Sequence, residues 1–162
     1  MNHVGKKIGL ILLVLLLVAG GVVLGLNWNK WFGTGVNTDE NAQPWSGEEG
    51  TYTGEKNTDT IDIPGFDMMT FKAGTKEQAV NLYNPEKNTC YFKFSLYLPD
   101  GTKVWQSGLV EPGKGFHQIS LTQELAAGEY KDAVLKYECF TMDKEQTPLN
   151  GSEIKLTINV LN

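Results

Sequence analysis

Residues 90–98 read CYFKFSLYL and run directly into Pro99-Asp100-Gly101. Cys90, Phe92, Phe94, Leu96 and Leu98 fall on one side of an extended chain, and Tyr91, Lys93, Ser95 and Tyr97 on the other. Successive side chains of a strand point to opposite faces of the pleat, so an apolar residue at every second position predicts a β-strand with one face buried. Proline presets the backbone for a turn, and Asp and Gly tolerate the conformations that a tight reversal needs. Asp100-Gly101 therefore predicts a two-residue hairpin loop. That register places Leu96 opposite Trp105, with both side chains directed at the core.

The same alternation extends outward. Further strands are expected at Thr60–Ile63, Met68–Phe71, Gln78–Tyr83, Phe116–Leu121, Glu129–Phe140 and Ile154–Leu161, with Pro64-Gly65, Asn84-Pro85, Pro112-Gly113 and Asn150-Gly151 as breaks. Helical periodicity is almost absent; only Leu121–Ala127 has room for a single turn. Seven or eight short strands, with a turn roughly every dozen residues, predict an all-β domain over residues 58–162: an antiparallel, immunoglobulin-like sandwich, with a Greek-key barrel as the alternative.

Upstream, Ile8–Leu26 reads IGLILLVLLLVAGGVVLGL, without a charge or a strongly polar group. As a helix this run is about 28 Å long, close to the hydrocarbon thickness of a bilayer. Lys6 and Lys7 precede it, which keeps residues 1–7 cytoplasmic and places everything after Leu26 outside. Trp28, Trp31 and Phe32 follow it and suit the outer headgroup region. The expectation is a single-pass plasma-membrane protein. The competing reading is a cleaved secretory signal; against it stand the length of the apolar run and the lack of an Ala-x-Ala site after it.

Gly33–Lys56 reads GTGVNTDENAQPWSGEEGTYTGEK, with five glycines among polar and acidic residues. With no period of 2 or 3.6, it cannot bury enough apolar area to offset its ordering entropy. Residues 27–57 are thus expected to be interfacial aromatics followed by a flexible acidic tether, spanning roughly 25–30 Å. Trp45 and Tyr52, its large apolar groups, are expected to be solvated.

The chain has no arginine, and beyond the apolar run 12 lysines face 19 acidic residues, a net charge of −7. Nucleic-acid binding needs a basic face, so that class is excluded as a partner. Only His3 and His117 are present, with no serine-nucleophile motif, phosphate-cradling glycine loop or calcium-loop spacing. The sequence therefore predicts no catalytic centre, no metal site and no cofactor. Tyr91 and Tyr97, on the polar side of the 90–98 strand, are the candidate binding face, since exposed tyrosines on a sheet take glycan or protein partners. Asn150-Gly151-Ser152 matches a glycosylation sequon, although Asn-Gly is first a turn signal.

Cys90 opens one strand and Cys139 closes another, both on apolar faces. If those strands run antiparallel, the two thiols lie level, and outside the membrane a disulfide persists. Such a bridge would contribute roughly 2–4 kcal/mol by restricting the unfolded chain. The alternative is two buried free thiols. The arrangement resembles the inter-sheet bridge of immunoglobulin domains, with Trp105 after the first Cys and Tyr137 two residues before the second. Ala127-Gly128-Glu129-Tyr130 resembles the corner before a late strand of such domains.

The whole plan resembles the uncharacterised single-anchor surface proteins of Gram-positive bacteria. Pro112-Gly113-Lys114, Leu125–Tyr130 and Lys136–Phe140 carry most of the likeness. A weaker resemblance, carried by Asp100-Gly101, Val104-Trp105, Phe116, Gln118 and Gly128-Glu129, is to small bacterial proteinase inhibitors of the BsuPI type. The first implies a non-catalytic, membrane-anchored binding or accessory module with a protein or glycan partner at the cell envelope. The second implies a secreted inhibitor or soluble binder released by signal cleavage.

Overall fold

The alternation becomes eight strands in the computed structural model, which describes residues 36–45 and 55–162. They are β1 (Gln43–Pro44), β2 (Met68–Lys72), β3 (Glu77–Tyr83), β4 (Cys90–Tyr97), β5 (Lys103–Gln106), β6 (Lys114–Ser120), β7 (Gly128–Thr141) and β8 (Pro148–Leu161). The folded unit runs Asn37–Asn162. The expected membrane helix 8–26, and Lys6, Lys7, Trp28, Trp31 and Phe32 beside it, lie outside the described residues. Among the described residues no helix is long and apolar enough to cross a membrane.

The strands form two sheets, one ordered β1-β6-β3 and the other β2-β8-β7-β4-β5, packed as a β-sandwich. The quoted strand is its centre: Cys90, Phe92, Phe94, Leu96 and Leu98 are all buried. Phe94 meets Phe92, Phe116 and Tyr137 edge-on, with ring centroids 5.8, 6.2 and 5.2 Å away. Phe116 comes from β6, so these contacts tie the small sheet to the large one in the offset geometry that aromatic quadrupoles favour. Leu96 pairs with Trp105 as expected.

The hairpin reaches that register differently. Gly101 N donates to Leu98 O and Leu98 N to Thr102 O, with Gly101 at φ +83°, so the loop is Pro99-Asp100-Gly101 with the glycine in the left-handed region. A bulge then restores the pairing and turns both Val104 and Trp105 inward.

Other local expectations also change. The sandwich is not wholly antiparallel, because β2 pairs parallel with β8 over Met68–Lys72. Thr60–Ile63 forms no strand. Asn88 Oδ1 accepts from Asp62 N and Asn88 Nδ2 donates to Asp62 O, so one amide side chain takes the place of a ladder partner. Asn150-Gly151 is a bulge inside β8 and not a break. A Cβ at Gly151 would collide with the Tyr137 carbonyl, so glycine alone lets the strands close there. Asn37–Trp45, read as tether, belongs to the folded unit. Asp39 Oδ2 accepts from Gly108 N, and Gln43 and Pro44 pair with Gly115 and Lys114 as an edge strand.

The chain changes sheets between β3 and β4, and Asn84 sits at that crossing with no exposed surface. Its Nδ2 donates to Cys90 O and Val110 O at 2.9 and 3.0 Å, and its Oδ1 accepts from Asn88 Nδ2 at 2.9 Å. Gln78 does similar work between β2 and β3, where its amide bonds Lys72 N, Lys72 O and Thr75 O. No buried side-chain nitrogen or oxygen among the described residues lacks a partner. Replacing Asn84 by alanine removes three buried hydrogen bonds at once, and each buried polar group left unpaired costs about 1–3 kcal/mol. Asn84→Ala is expected to lower the stability measured by urea unfolding by about 3 kcal/mol or more; a loss under about 1 kcal/mol would refute the role given to this residue.

Candidate functional site

The expected binding tyrosines separate. Tyr91 does lie on the face opposite Phe92, but it is only 6% exposed, paired with Phe140 and within electrostatic reach of Glu111 and Lys114. It is packing, not a free recognition surface. Tyr97 stays half-exposed beside Lys103 and Val134. His117 is exposed, and among the described residues no group of three or more His, Cys, Asp or Glu side chains is placed to hold a metal ion.

The aromatic surface that the structure assembles instead lies on the three-stranded sheet. β6 brings Gly115 between Gln43 of β1 and Tyr83 of β3. A Cβ at Gly115 would strike the Leu82 carbonyl and the Tyr83 side chain, so only glycine permits this approach. Trp45 N then donates to Gly113 O, which carries the indole across to Tyr83. The rings stack with centroids 3.7 Å apart and 8° between planes, and Trp45 Nε1 donates to Asn81 Oδ1 at 2.7 Å. Both aromatics are half-exposed and Asn81 is exposed. Further along β3 and β6, Gln118 Nε2 donates to Glu77 Oε2 at 2.9 Å. Hydrogen bonds from Ser120 and Gln118 hold the Glu77 carboxyl below its ordinary range. The sheet thus offers an aromatic pair with an amide at one end of β3 and an amide with a carboxylate at the other. The expectation that Trp45 is solvated is corrected; the missed signal is its ring at the end of a strand only two residues long, too short to show any period. Tyr52 lies outside the described residues.

A concavity of about 390 Å³ opens along β7 and β8 over the Gly151 bulge, lined among others by Lys136, Glu138, Phe140, Leu149 and Glu153. Lys136 and Glu153 form an ion pair at 3.5 Å.

The cysteines are brought together, as expected, but not between sheets. β4 and β7 are neighbours in the five-stranded sheet, and both thiols are free and buried. Interaction with the Cys139 thiol lowers the pKa of Cys90, against the effect of burial; interaction with Cys90, together with burial, pushes the Cys139 thiol up.

Removing the stacked indole is expected to loosen the edge strand without unfolding the sandwich. Trp45→Ala should cost about 1–2 kcal/mol, from the ring pair and its hydrogen bond. Hydrogen exchange should speed up at 37–45 and at Gly115, leaving β4 and β7 protected; unchanged exchange at 37–45 would show that the stack does not hold the strand.

Burial raises the phenol pKa of Tyr91, with Glu111 adding to it, and that of Tyr137, with Tyr83 adding to it. A raised folded-state value means that the unfolded chain ionises first. The stability these groups contribute is complete below about pH 10, the ordinary tyrosine value, and is lost as pH rises above it. Ultraviolet titration should show tyrosines that ionise only as the domain unfolds in alkali; full ionisation of all tyrosines near pH 10 in folded protein would contradict this.

No family model matches the chain, and no curated protein matches it. A solved structure, that of CopC from Methylosinus trichosporium OB3b, is similar at 14% identity and a TM-score of 0.34, over 61% of this chain and 88% of that one. At that level the likeness carries no argument about what this chain binds or does.

Proposed function

We propose that this chain is a membrane-anchored, non-catalytic binding or accessory module, displaying an immunoglobulin-like sandwich to a protein or glycan partner at the outer face of the plasma membrane. The observation that carries the reading is the order of its parts. An uncharged run, Ile8–Leu26, flanked by Lys6 and Lys7 and then by Trp28, Trp31 and Phe32, precedes a folded unit that begins at Asn37. What supports a binding role is where that unit spends its aromatic and amide groups. Trp45, Tyr83 and Asn81 are held in fixed mutual geometry while still reaching solvent. A net charge of −7 beyond the apolar run disfavours nucleic acid as the partner.

The immunoglobulin-like reading has its own support. Tyr130 Oη donates to Ala126 O at 3.1 Å, four residues upstream at the entry to β7. The bond is similar to the tyrosine corner of such sandwiches, although here the tyrosine stands nine residues before Cys139 and not two.

Cell fractionation with intact mass measurement tests the proposal. The expected result is a full-length chain in the membrane fraction, whose folded unit is digested by protease added outside the cell. Crosslinking should then capture an envelope partner, and Trp45→Ala should weaken that capture. A chain shortened near residues 20–33 and found in the medium would overturn the anchored reading in favour of a secreted binder or inhibitor.

A further inference from the structure

We infer that Cys90 and Cys139 form a redox-active dithiol that closes to a disulfide within the five-stranded sheet, between the neighbouring strands β4 and β7. The inference stands on the sheet itself and does not depend on the anchor or on any partner.

The register places the pair. Cys90 lies opposite Thr141, and Phe92 lies opposite Cys139, so the two cysteines share the core-facing row but sit one step apart on the diagonal. Each is 1% exposed. In a regular ladder, diagonal neighbours are about 7–8 Å apart, beyond the range of about 4.4–6.8 Å between Cα atoms that suits a disulfide. The two side chains nevertheless enter the same layer of the core from adjacent strands and interact there. The remaining distance falls to β7, because Cys90 is held from behind by the Asn84 amide on its carbonyl. Cys139, by contrast, pairs with Leu149 just beside the Gly151 bulge, where the β7–β8 ladder is already irregular. Leu149 and Met142, near the tip of that hairpin, are exposed.

The interaction also assigns the roles. The Cys139 thiol favours the charged form of Cys90, so Cys90 carries the negative charge when one of the pair ionises, and the thiolate is the nucleophile in thiol–disulfide exchange. With a small disulfide such as oxidised glutathione as oxidant, the Cys90 thiolate attacks one sulfur and expels a glutathione thiolate. That thiolate takes the proton of Cys139. Cys139 then attacks the Cys90 sulfur and expels the second glutathione. Two protein thiols are oxidised to one S–S bond, and one glutathione disulfide is reduced to two thiols. A bridge drawn across a diagonal carries strain and is correspondingly easy to reduce, so the pair cycles between its two states and does not act as a permanent staple.

The test is equilibration of the detergent-solubilised full chain in glutathione redox buffers, with and without a little urea to open the hairpin. Samples are quenched in acid, denatured, labelled at free thiols and weighed. At the oxidising end the expected species is a monomer lighter by two hydrogens that has lost both labelling sites. At the reducing end both sites return. Cys139→Ser should take up one glutathione on Cys90, and Cys90→Ser several-fold less on Cys139. Two labelling sites persisting under every oxidising condition, disulfides formed only between copies, or glutathione held on both cysteines without ring closure would each overturn the proposal. Equal uptake by the two single variants would overturn the assignment of Cys90 as the attacking thiol.

Discussion

A fully buried amide at the crossing between sheets is the constraint on which most of this structure rests. When a chain leaves one sheet and enters the other through an apolar interior, backbone groups near the crossing lose their ladder partners. Asn84 replaces them. Both of its amide hydrogens go to carbonyls, of Cys90 at the start of β4 and of Val110 before β6, and its oxygen passes the network on to Asn88. Asn88 in turn holds Asp62 by both N–H and C=O. Its neighbour Thr89 Oγ1 donates to Asn57 O. Two side chains thus fix where β4 starts, where the β5–β6 connection passes and where the incoming chain lies. In a low-dielectric interior such a network is worth most when every member is satisfied, and here each is.

The strands that face the core were legible because burial on one side imposes a period of two, and that pattern is local. Phe92, Phe94 and Leu96, and likewise Leu135 and Tyr137 on β7, needed no knowledge of their partners to be placed inward. What depended on partners was not legible. Thr60–Ile63 has the composition of a strand but finds a side-chain amide where a strand partner was expected. Met68–Lys72 pairs parallel with β8, a choice made by chain ends far apart in sequence. Tyr91 has the right parity for an exposed face, yet the Glu111–Lys114 turn lies near it and Phe140 pairs with it. Asn150-Gly151 carries a turn signal, but a glycine inside a strand also marks a bulge, and only the Tyr137 carbonyl, standing where a Cβ would have to go, distinguishes the two.

The candidate surface escaped the sequence for a related reason. Asn37–Trp45 is short, acidic and free of periodicity, which describes a tether, and composition could not show that Asp39 binds Gly108 N or that Trp45 finds Tyr83. The position of Gly115 decides it. A side chain there would hold β3 and β6 apart, and its absence lets Tyr83 and Gln43 sit close enough on either side of one strand for an indole to bridge them. The same chain is held again after the undescribed residues, where Asn57 N donates to Lys87 O. A segment of apparently disordered composition is thus tied to the sandwich at both of its described ends.

Fixing the sheet crossing has a consequence for the chemistry of the cysteines. Asn84 grips Cys90 through its backbone, so any movement that brings the two sulfurs into bonding distance falls on β7 and the hairpin beyond it. That hairpin is flanked by other strands along only part of its length. β2 supports β8 only over Thr157–Leu161, and β4 supports β7 only as far as Thr141. The strain of a diagonal bridge would therefore be stored around Cys139, Leu149 and Gly151, where the cleft over β7 and β8 also lies. Oxidation of a pair buried in the core would be felt at that cleft, and the aromatic surface on the opposite sheet, separated from it by the Asn84 network, would be left as it is.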